Sequence, residues 1–443
     1  MRRAAVIVGW VLALTLVARG VGAREPEVFE TTLENGLKVL LLEEHKAPVV
    51  TFHLWYRVGS RNELPGRTGL AHFMEHMMFK GTRRVGGQAY SQMIRRNGGR
   101  DNAFTSQDYT GYFVTIAADR IHLPLELEPD RMVNLLLDAN AVERERSVVM
   151  EERRLRSEDD PTSALYEEMR AAAFKAHPYG SPVIGWMEDI QRLDRPDLLA
   201  FYRTYYVPNN AVIVVVGDFN RAKLLPRIRE AFGKIPRGPD PPPARSVEPP
   251  QKAERRVVLV REDAQLPSIS IAYHVPTLTD PDSSALDVLE VILGGGRSAR
   301  LYRRLVYEQQ LALNADAFYD RVSADPDLFS LYATASPGKA VAEVERALDA
   351  ELDRLKSEPV SARELQKAKN QIEAGFIFAQ DSIFSLARQL AAHESVAGWP
   401  YWKGYLSGIR GVTAEDVQRV ARKHLAAENR TVGVLVPGAG SGK

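Results

Sequence analysis

Two separate stretches of this 443-residue chain recur at one fixed displacement, and that recurrence constrains the fold more than any other feature. "VLLLEEHKAPVVTFHLWYRV", Val39 to Val58, lies beside "VLVREDAQLPSISIAYHVPT", Val258 to Thr277, 219 positions later, with Pro48 opposite Pro267. Each stretch reads as two strands of alternating polarity broken by a turn. Towards the other end of each half, "NNAVIVVVGD", Asn209 to Asp218, lies beside "ENRTVGVLVP", Glu428 to Pro437, at the same displacement. A helix with an N-cap is predicted just before each: Asp194 ahead of "RPDLLAFYRTYY" and Thr413 ahead of "AEDVQRVARKHL". Two matches at one displacement, with the elements in one order, imply a duplicated α+β domain.

The rest of the chain fits that division. A proline-rich stretch at 234–256 holds seven prolines, excludes helix and reads as a stiff exposed linker. The expected plan is therefore a first domain at 24–233, the linker at 234–256 and a second domain at 257–443. Hydrophobic residues at 45% and charged residues at 26% suit a soluble protein with real cores. A net charge of +1 gives no pointer to nucleic acid or a membrane surface. With no cysteine, any metal must sit on His, Asp or Glu. Residues 1–23 read as a signal peptide: Arg2 and Arg3, an apolar run from Ala4 to Val17, then Val21-Gly22-Ala23 as the cleavage site. The run is short of the roughly 20 residues of a membrane span. Export follows, with a periplasm the expected compartment and no stable span after cleavage.

One motif has no counterpart in the repeat. "RTGLAHFMEHMMFKGT" carries His72, Glu75 and His76 on a predicted helix. Residues i and i+4 point to nearly one side, so both imidazoles can grip one ion. Glu75 lies on the same flank and can accept a proton from a water at that ion. This H-x-x-E-H order is the inverted zincin motif. A surface helix could carry two histidines by chance, but Leu70, Phe73, Met77 and Met78 make this one largely buried, and buried histidines need a partner. At the 219 displacement the three residues fall opposite Val291, Gly294 and Gly295. The fold therefore does not require the histidines, which assigns them to chemistry in the first half alone.

A third ligand must come from elsewhere, with a fourth position open to water. "NAVERERSVVMEERRLRSEDD", Asn140 to Asp160, is a charged helix whose carboxylates are mostly accounted for by solvated faces and neighbouring arginines. Glu145, Val148, Val149 and Glu152 share one stripe, and two carboxylates on the same face as two valines are expected to look inward. Spacing leaves Glu145, Glu151 and Glu152 open, with a lean to Glu152.

The H-x-x-E-H helix, "MMFKGT", the distant "ERERSVVMEERR", "HPYGSPVIG" (177–185) and "LGGGRSARLYRRL" (293–305) together resemble the pitrilysin/insulinase family of zinc peptidases, the inverzincins of family M16, in its short processing-peptidase-like branch. The resemblance covers essentially the whole chain after residue 23. It implies the LuxS/MPP-like metallohydrolase fold: two homologous α+β domains, each a largely antiparallel sheet packed with helices. It implies one zinc ion (Zn2+) per chain on His72, His76 and Glu152, Glu75 as general base, and Glu145 orienting a ligand histidine. It also implies that substrate adds as a β-strand along 98–110, with Asn102 and Ala103 as backbone contacts.

Family members close a chamber from four such domains, so the resemblance makes this chain half a chamber. In active members the second half supplies an Arg and a Tyr after the glycine-rich loop; here Val306 and Leu313 stand at the matching positions. The expected partner is a metal-free homologue that brings the Arg and Tyr, forming a heterodimer. Tyr302, Tyr307 and Tyr319 are possible local substitutes, each otherwise a packing residue. Gly294 to Gly296 lacks the spacing and the Lys of a phosphate loop. The function these features predict is an exported zinc metalloendopeptidase acting on short or unfolded peptides. The rivals are a non-catalytic scaffold subunit, which has no use for all four metal-site residues, and a dedicated peptide-maturation protease using the same chemistry.

Overall fold

The computed structural model describes residues 27–244 and 247–438, so the predicted signal peptide lies outside the described residues. Eleven strands among the described residues form two sheets. The first contains β1 (Phe29–Thr32), β2 (Lys38–Glu43), β3 (Val49–Tyr56), β4 (Arg100–Thr105), β5 (Thr110–Ala117) and β6 (Ala211–Gly217), in the order β1-β2-β6-β3-β5-β4. The second contains β7 (Arg255–Arg261), β8 (Ser268–Val275), β9 (Ala312–Tyr319), β10 (Asp327–Ala335) and β11 (Arg430–Pro437), in the order β7-β11-β8-β10-β9. Apart from the extra β1, the two orders are the same. Each sheet has one parallel pair, β2–β6 and β7–β11, and is otherwise antiparallel.

The displacement of 219 reappears in the bounds of several elements, while the strand registers differ between the halves by a few residues. β3 begins at Val49 and β8 at Ser268; the helix Arg195–Tyr205 is matched by Ala414–His424. Both helices open with a capping box. Asp194 and Thr413 accept from the N–H of Asp197 and Asp416, whose carboxylates return a bond to the cap N–H. β7 opens at Arg255, so the last two residues of the proline-rich stretch belong to the second sheet. The linker is tethered where Glu248 accepts the backbone N–H groups of Lys175, Ala176 and His177.

"AVIVVVG" of β6 is apolar at every position because both of its faces are covered. Ala211, Ile213 and Val215 face the first half's own helices. Val212, Val214 and Val216 face Leu386, Ala387, Leu390 and Ala391 of the helix Ile383–Val396, which comes from the second half. The reverse also holds. Leu165, Met169 and Ala173 of the first half's helix Pro161–Ala173 cover Ala272, Leu328 and Leu435 of the second sheet. Each half thus lends one helix to the other's sheet. A polar pin joins them further: Asp325 takes Arg61 at 2.6 Å and His177 at 3.2 Å, while Asp108 accepts from Tyr179 Oη at 2.6 Å and Ala324 N at 3.1 Å. This gives "HPYGSPVIG" a structural task beside any other. No helix among the described residues is long and apolar enough to cross a membrane.

Candidate metal centre

The helix Leu70–Met77 packs Leu70, Phe73, Met74 and Met77 into the first core and turns His72, Glu75 and His76 the other way. Its entry is fixed from three sides. The buried Glu63 carboxylate accepts Gly69 N at 2.8 Å and Ala71 N at 2.7 Å, where the helix presents free N–H groups. Burial nevertheless pushes the Glu63 carboxyl up to about 8. Asp189 takes both the N–H and the hydroxyl of Thr68. Gly69 has φ +90°, and a side chain there would collide with the Ile184 carbonyl oxygen, so the segment ending in Gly185 packs directly on the helix start.

The helix Ala139–Arg153 begins at Asp138, which caps Ala141 N. Its buried positions are Val142, Glu145, Val149 and Arg153. Val148, expected to face inward with Val149, is half exposed instead: the buried stripe follows steps of three and four from Val142 and leaves it on the flank. The three candidate carboxylates diverge. Glu151 points to solvent and pairs with Arg154 at 3.0 Å. Glu145 Oε1 lies 2.9 Å from His76 Nδ1, and its other oxygen 2.5 Å from Lys80 Nζ. Glu152 reaches the far side of the imidazoles, its Oε2 3.3 Å from His76 Nε2 and its Oε1 3.9 Å from His72 Nε2.

His72, His76 and Glu152 therefore bring one donor atom each within 4.8 Å of one another, the one such group of three or more His, Asp or Glu among the described residues. A tetrahedral zinc site with bonds of about 2.0–2.2 Å sets its donors roughly 3.3–3.6 Å apart; the spacing here is wider, so the three would draw together on an ion. The protonation states fit as well. Burial, with the His76 and Arg156 charges adding to it, pulls His72 down to about 3, so it is neutral. Its Nδ1 is buried without a hydrogen-bond partner. The Glu145 carboxylate facing His76 Nδ1 favours the tautomer whose Nε2 lone pair points at the site. Burial opposes ionisation of Glu145, but its bonds to His76 and Lys80 outweigh that and hold it below the ordinary range.

Glu75 stands beside this group. Burial raises its pKa, against the Thr105 hydroxyl that donates to its Oε2 at 2.6 Å. That bond ties the carboxylate to β4, the outer strand of the sheet. At the hairpin from β4 to β5, Ser106 N donates to Tyr109 O, so by alternation Asp101, Ala103 and Thr105 turn their backbone N–H and C=O to the open edge. Ala103 N indeed meets Asn102 Oδ1 at 3.0 Å there. Of the two expected contact residues, Ala103 thus offers its backbone to the edge. The backbone of Asn102 faces β5, and its side chain reaches the edge instead.

Thr105, Lys80, Arg156 and Glu63 went unnoticed in the sequence. Lys80 and Arg156 each follow a site residue by four positions, a helical spacing that flags them in retrospect; Glu63 and Thr105 carry no pattern. Arg156 holds Glu152 Oε1 at 2.7 Å, leaving Oε2 to face His76. In the second half Val306 packs against the core, Leu313 is half exposed, and the Tyr319 hydroxyl donates to Pro276 O. Tyr307 is largely exposed.

Comparison with known proteins identifies relatives of the whole chain. The profile described as Insulinase (Peptidase family M16) matches residues 38–186, and that described as Peptidase M16 inactive domain matches residues 192–372. "Zinc protease PqqE" of Helicobacter pylori is 31% identical over 415 residues, covering 93% of both chains. The crystal structure of a protease from Helicobacter pylori superposes with a TM-score of 0.90 at 31% identity, over 93% of this chain and 100% of that one. The periplasmic protease PqqL from Escherichia coli shares the fold with a TM-score of 0.78 at 20% identity; this chain spans 93% of itself but 48% of that one.

Proposed function

The chain belongs to the insulinase family of peptidases, family M16, and from that premise we propose that it is a zinc metalloendopeptidase acting on short or unfolded peptides. The observation that carries the reading is the convergence of His72, His76 and Glu152 with Glu75 alongside. His72, His76 and Glu152 would hold the ion, which when bound polarises the scissile carbonyl and acidifies a water. Glu145 keeps His76 in its ligating tautomer, and Arg156 fixes the orientation of Glu152. Glu75 Oε accepts the proton of the attacking water and passes it to the leaving amine; a carboxyl raised by burial suits both steps. The β4 edge accepts the substrate as an added strand through Ala103 and its outward neighbours, with the Asn102 side chain beside it.

Three further features belong to the same reading. Residues 1–23 export the chain, most simply to a periplasm, as the name of the PqqL neighbour also suggests. The chain forms half of a closed chamber, consistent with its spanning about half of PqqL. Val306 and Leu313 call for a metal-free homologue supplying Arg and Tyr.

The test follows cleavage of an unstructured fluorogenic peptide by the zinc-loaded chain. Glu75→Gln is expected to bind zinc with unchanged stoichiometry and to lose about 10²–10⁴-fold in kcat. Full cleavage by Glu75→Gln would overturn the assignment. Bound zinc without cleavage in the wild type would point to the missing partner half.

A further inference from the structure

The chain is almost neutral overall, with 58 Lys and Arg against 57 Asp and Glu, but the edge beside the metal centre is not. Along β4, Asp101 bonds Ser91 of the helix Ala89–Arg96, Ala103 packs against the first core and Thr105 bonds Glu75, so these three lie on the face of the sheet that the histidine helix covers. Arg100, Asn102 and Phe104 therefore occupy the opposite face. There Phe104 packs edge-on against Trp55, ring centroids 4.9 Å apart. The guanidinium of Arg388, carried in by the helix exchanged from the second half, lies over the Phe104 ring at 5.8 Å. Arg100 and Arg388 are both exposed, and among the described residues neither has a carboxylate within 4.0 Å. Asp320, whose carboxyl burial raises and the Arg388 charge lowers in small part, turns an oxygen to Val322 N.

We propose that this edge selects extended peptides carrying two acidic side chains four residues apart, with Arg388 and Arg100 as specificity-determining residues. The proposal rests on reading the β4 edge as the seat of the substrate strand. Cross-strand neighbours on one face sit about 4.5–5.5 Å apart at Cβ, so a substrate side chain beside Phe104 falls within reach of Arg388. Four residues along a strand span about 13 Å, which sets a second acidic side chain of the same peptide beside Arg100. Side chains at the intervening positions face Thr105 and the metal centre. The sign of the selection comes from two exposed cations with no carboxylate within 4.0 Å among the described residues.

The experiment uses the full zinc-loaded Glu75→Gln chain and three fluorescent peptides that differ only at two positions four residues apart, carrying Glu, Gln or Lys. Exposed ion pairs each contribute up to about a fivefold effect, so the Glu peptide should bind about tenfold tighter than the Lys peptide by anisotropy, and the gap should shrink in high salt. Arg100→Glu/Arg388→Glu should reverse the order. Arg388→Gln, a milder change at an exposed site, should narrow the gap about threefold while Arg388→Lys preserves it. Equal binding of the three peptides, the same order in the reversed variant, or no binding of any peptide would each overturn the proposal. Charge-ordered binding together with undiminished cleavage by Glu75→Gln would support the edge and overturn the catalytic assignment, so the two fail separately.

Discussion

The two halves share a strand order and a displacement that recurs in several elements, yet they use equivalent positions in opposite ways. Where the first half has His72, Glu75 and His76, the second has Val291, Gly294 and Gly295 at the end of the helix Ser283–Gly294. A side chain at Gly294 would collide with the backbone nitrogen of Ala317, so this helix end lies directly on β9. In the first half the same helix is held off β4, and Glu75 and Thr105 fill the space. Opposite Glu152 stands Gln371, whose amide donates to Gly295 O at 2.8 Å, so the position that faces the two histidines in one half closes the gap in the other. Opposite Glu145 stands Glu364, which keeps the carboxylate but pairs it with Arg300 at 2.7 Å. A metal centre is thus a place where this fold is left unpacked and lined with donors. The second half shows what the same backbone does when it is packed shut.

That contrast can be broken or sharpened by substitution. The largest expected effect falls on what the halves share. Leu390 is fully buried on the exchanged helix, and Leu390→Ala should cost about 2–5 kcal/mol. Because its helix belongs to one half and its cavity to the other, denaturant unfolding followed by probes in each half should shift together; separate transitions would show that the exchange does not couple them. Next comes the closed counterpart of the site. Gly294→Ala forces a methyl against β9 and should cost about 1–3 kcal/mol in thermal or denaturant unfolding; a neutral result would mean that the second half tolerates an open gap.

A smaller effect separates the two equivalent carboxylates. Glu145→Gln should weaken zinc binding about 10–100-fold in a competition titration, through the loss of His76 orientation. Glu364→Gln should leave zinc affinity where it was, since its partner is Arg300. The smallest at neutral pH, though it grows with acidity, concerns His53, fully buried among Trp55, Phe113 and Phe384, where the second half has Ala272. Burial, reinforced by the Arg388 charge, lowers His53 from 6.5 to about 3. Between those values the unfolded chain binds the extra proton, so the stability gained from a neutral His53 is complete above pH 6.5 and is lost as pH falls towards 3, by roughly 1.4 kcal/mol per unit. A His53→Ala variant should lose that part of its acid sensitivity below pH 6.5; an unchanged slope would show that His53 titrates normally.

Much of this was legible in the sequence because the repeat supplied its own control. The displacement located equivalent strands and caps without any knowledge of their packing, and it isolated the histidine motif as the part that folding does not need. The choice among Glu145, Glu151 and Glu152 was not legible from spacing, since residues one apart on a helix differ by a rotation that only the position of the facing helix converts into a direction. The inward placement of Val148 failed for the same reason. The exchange of helices was hidden too: an apolar stripe such as Leu386, Leu390 and Ala391 declares that it will be buried but not against which sheet. Glu63 left no trace, because a carboxylate that clamps a helix start from a loop follows no periodicity.

The central claim is that a duplicated fold carries a single metal centre, in its first half only. Metal content of the purified full chain, compared with Glu152→Gln, tests this most directly. One zinc per chain in the wild type, falling to near zero in the variant, is the predicted result. Two zinc ions per chain, or one that survives Glu152→Gln undiminished, would contradict it.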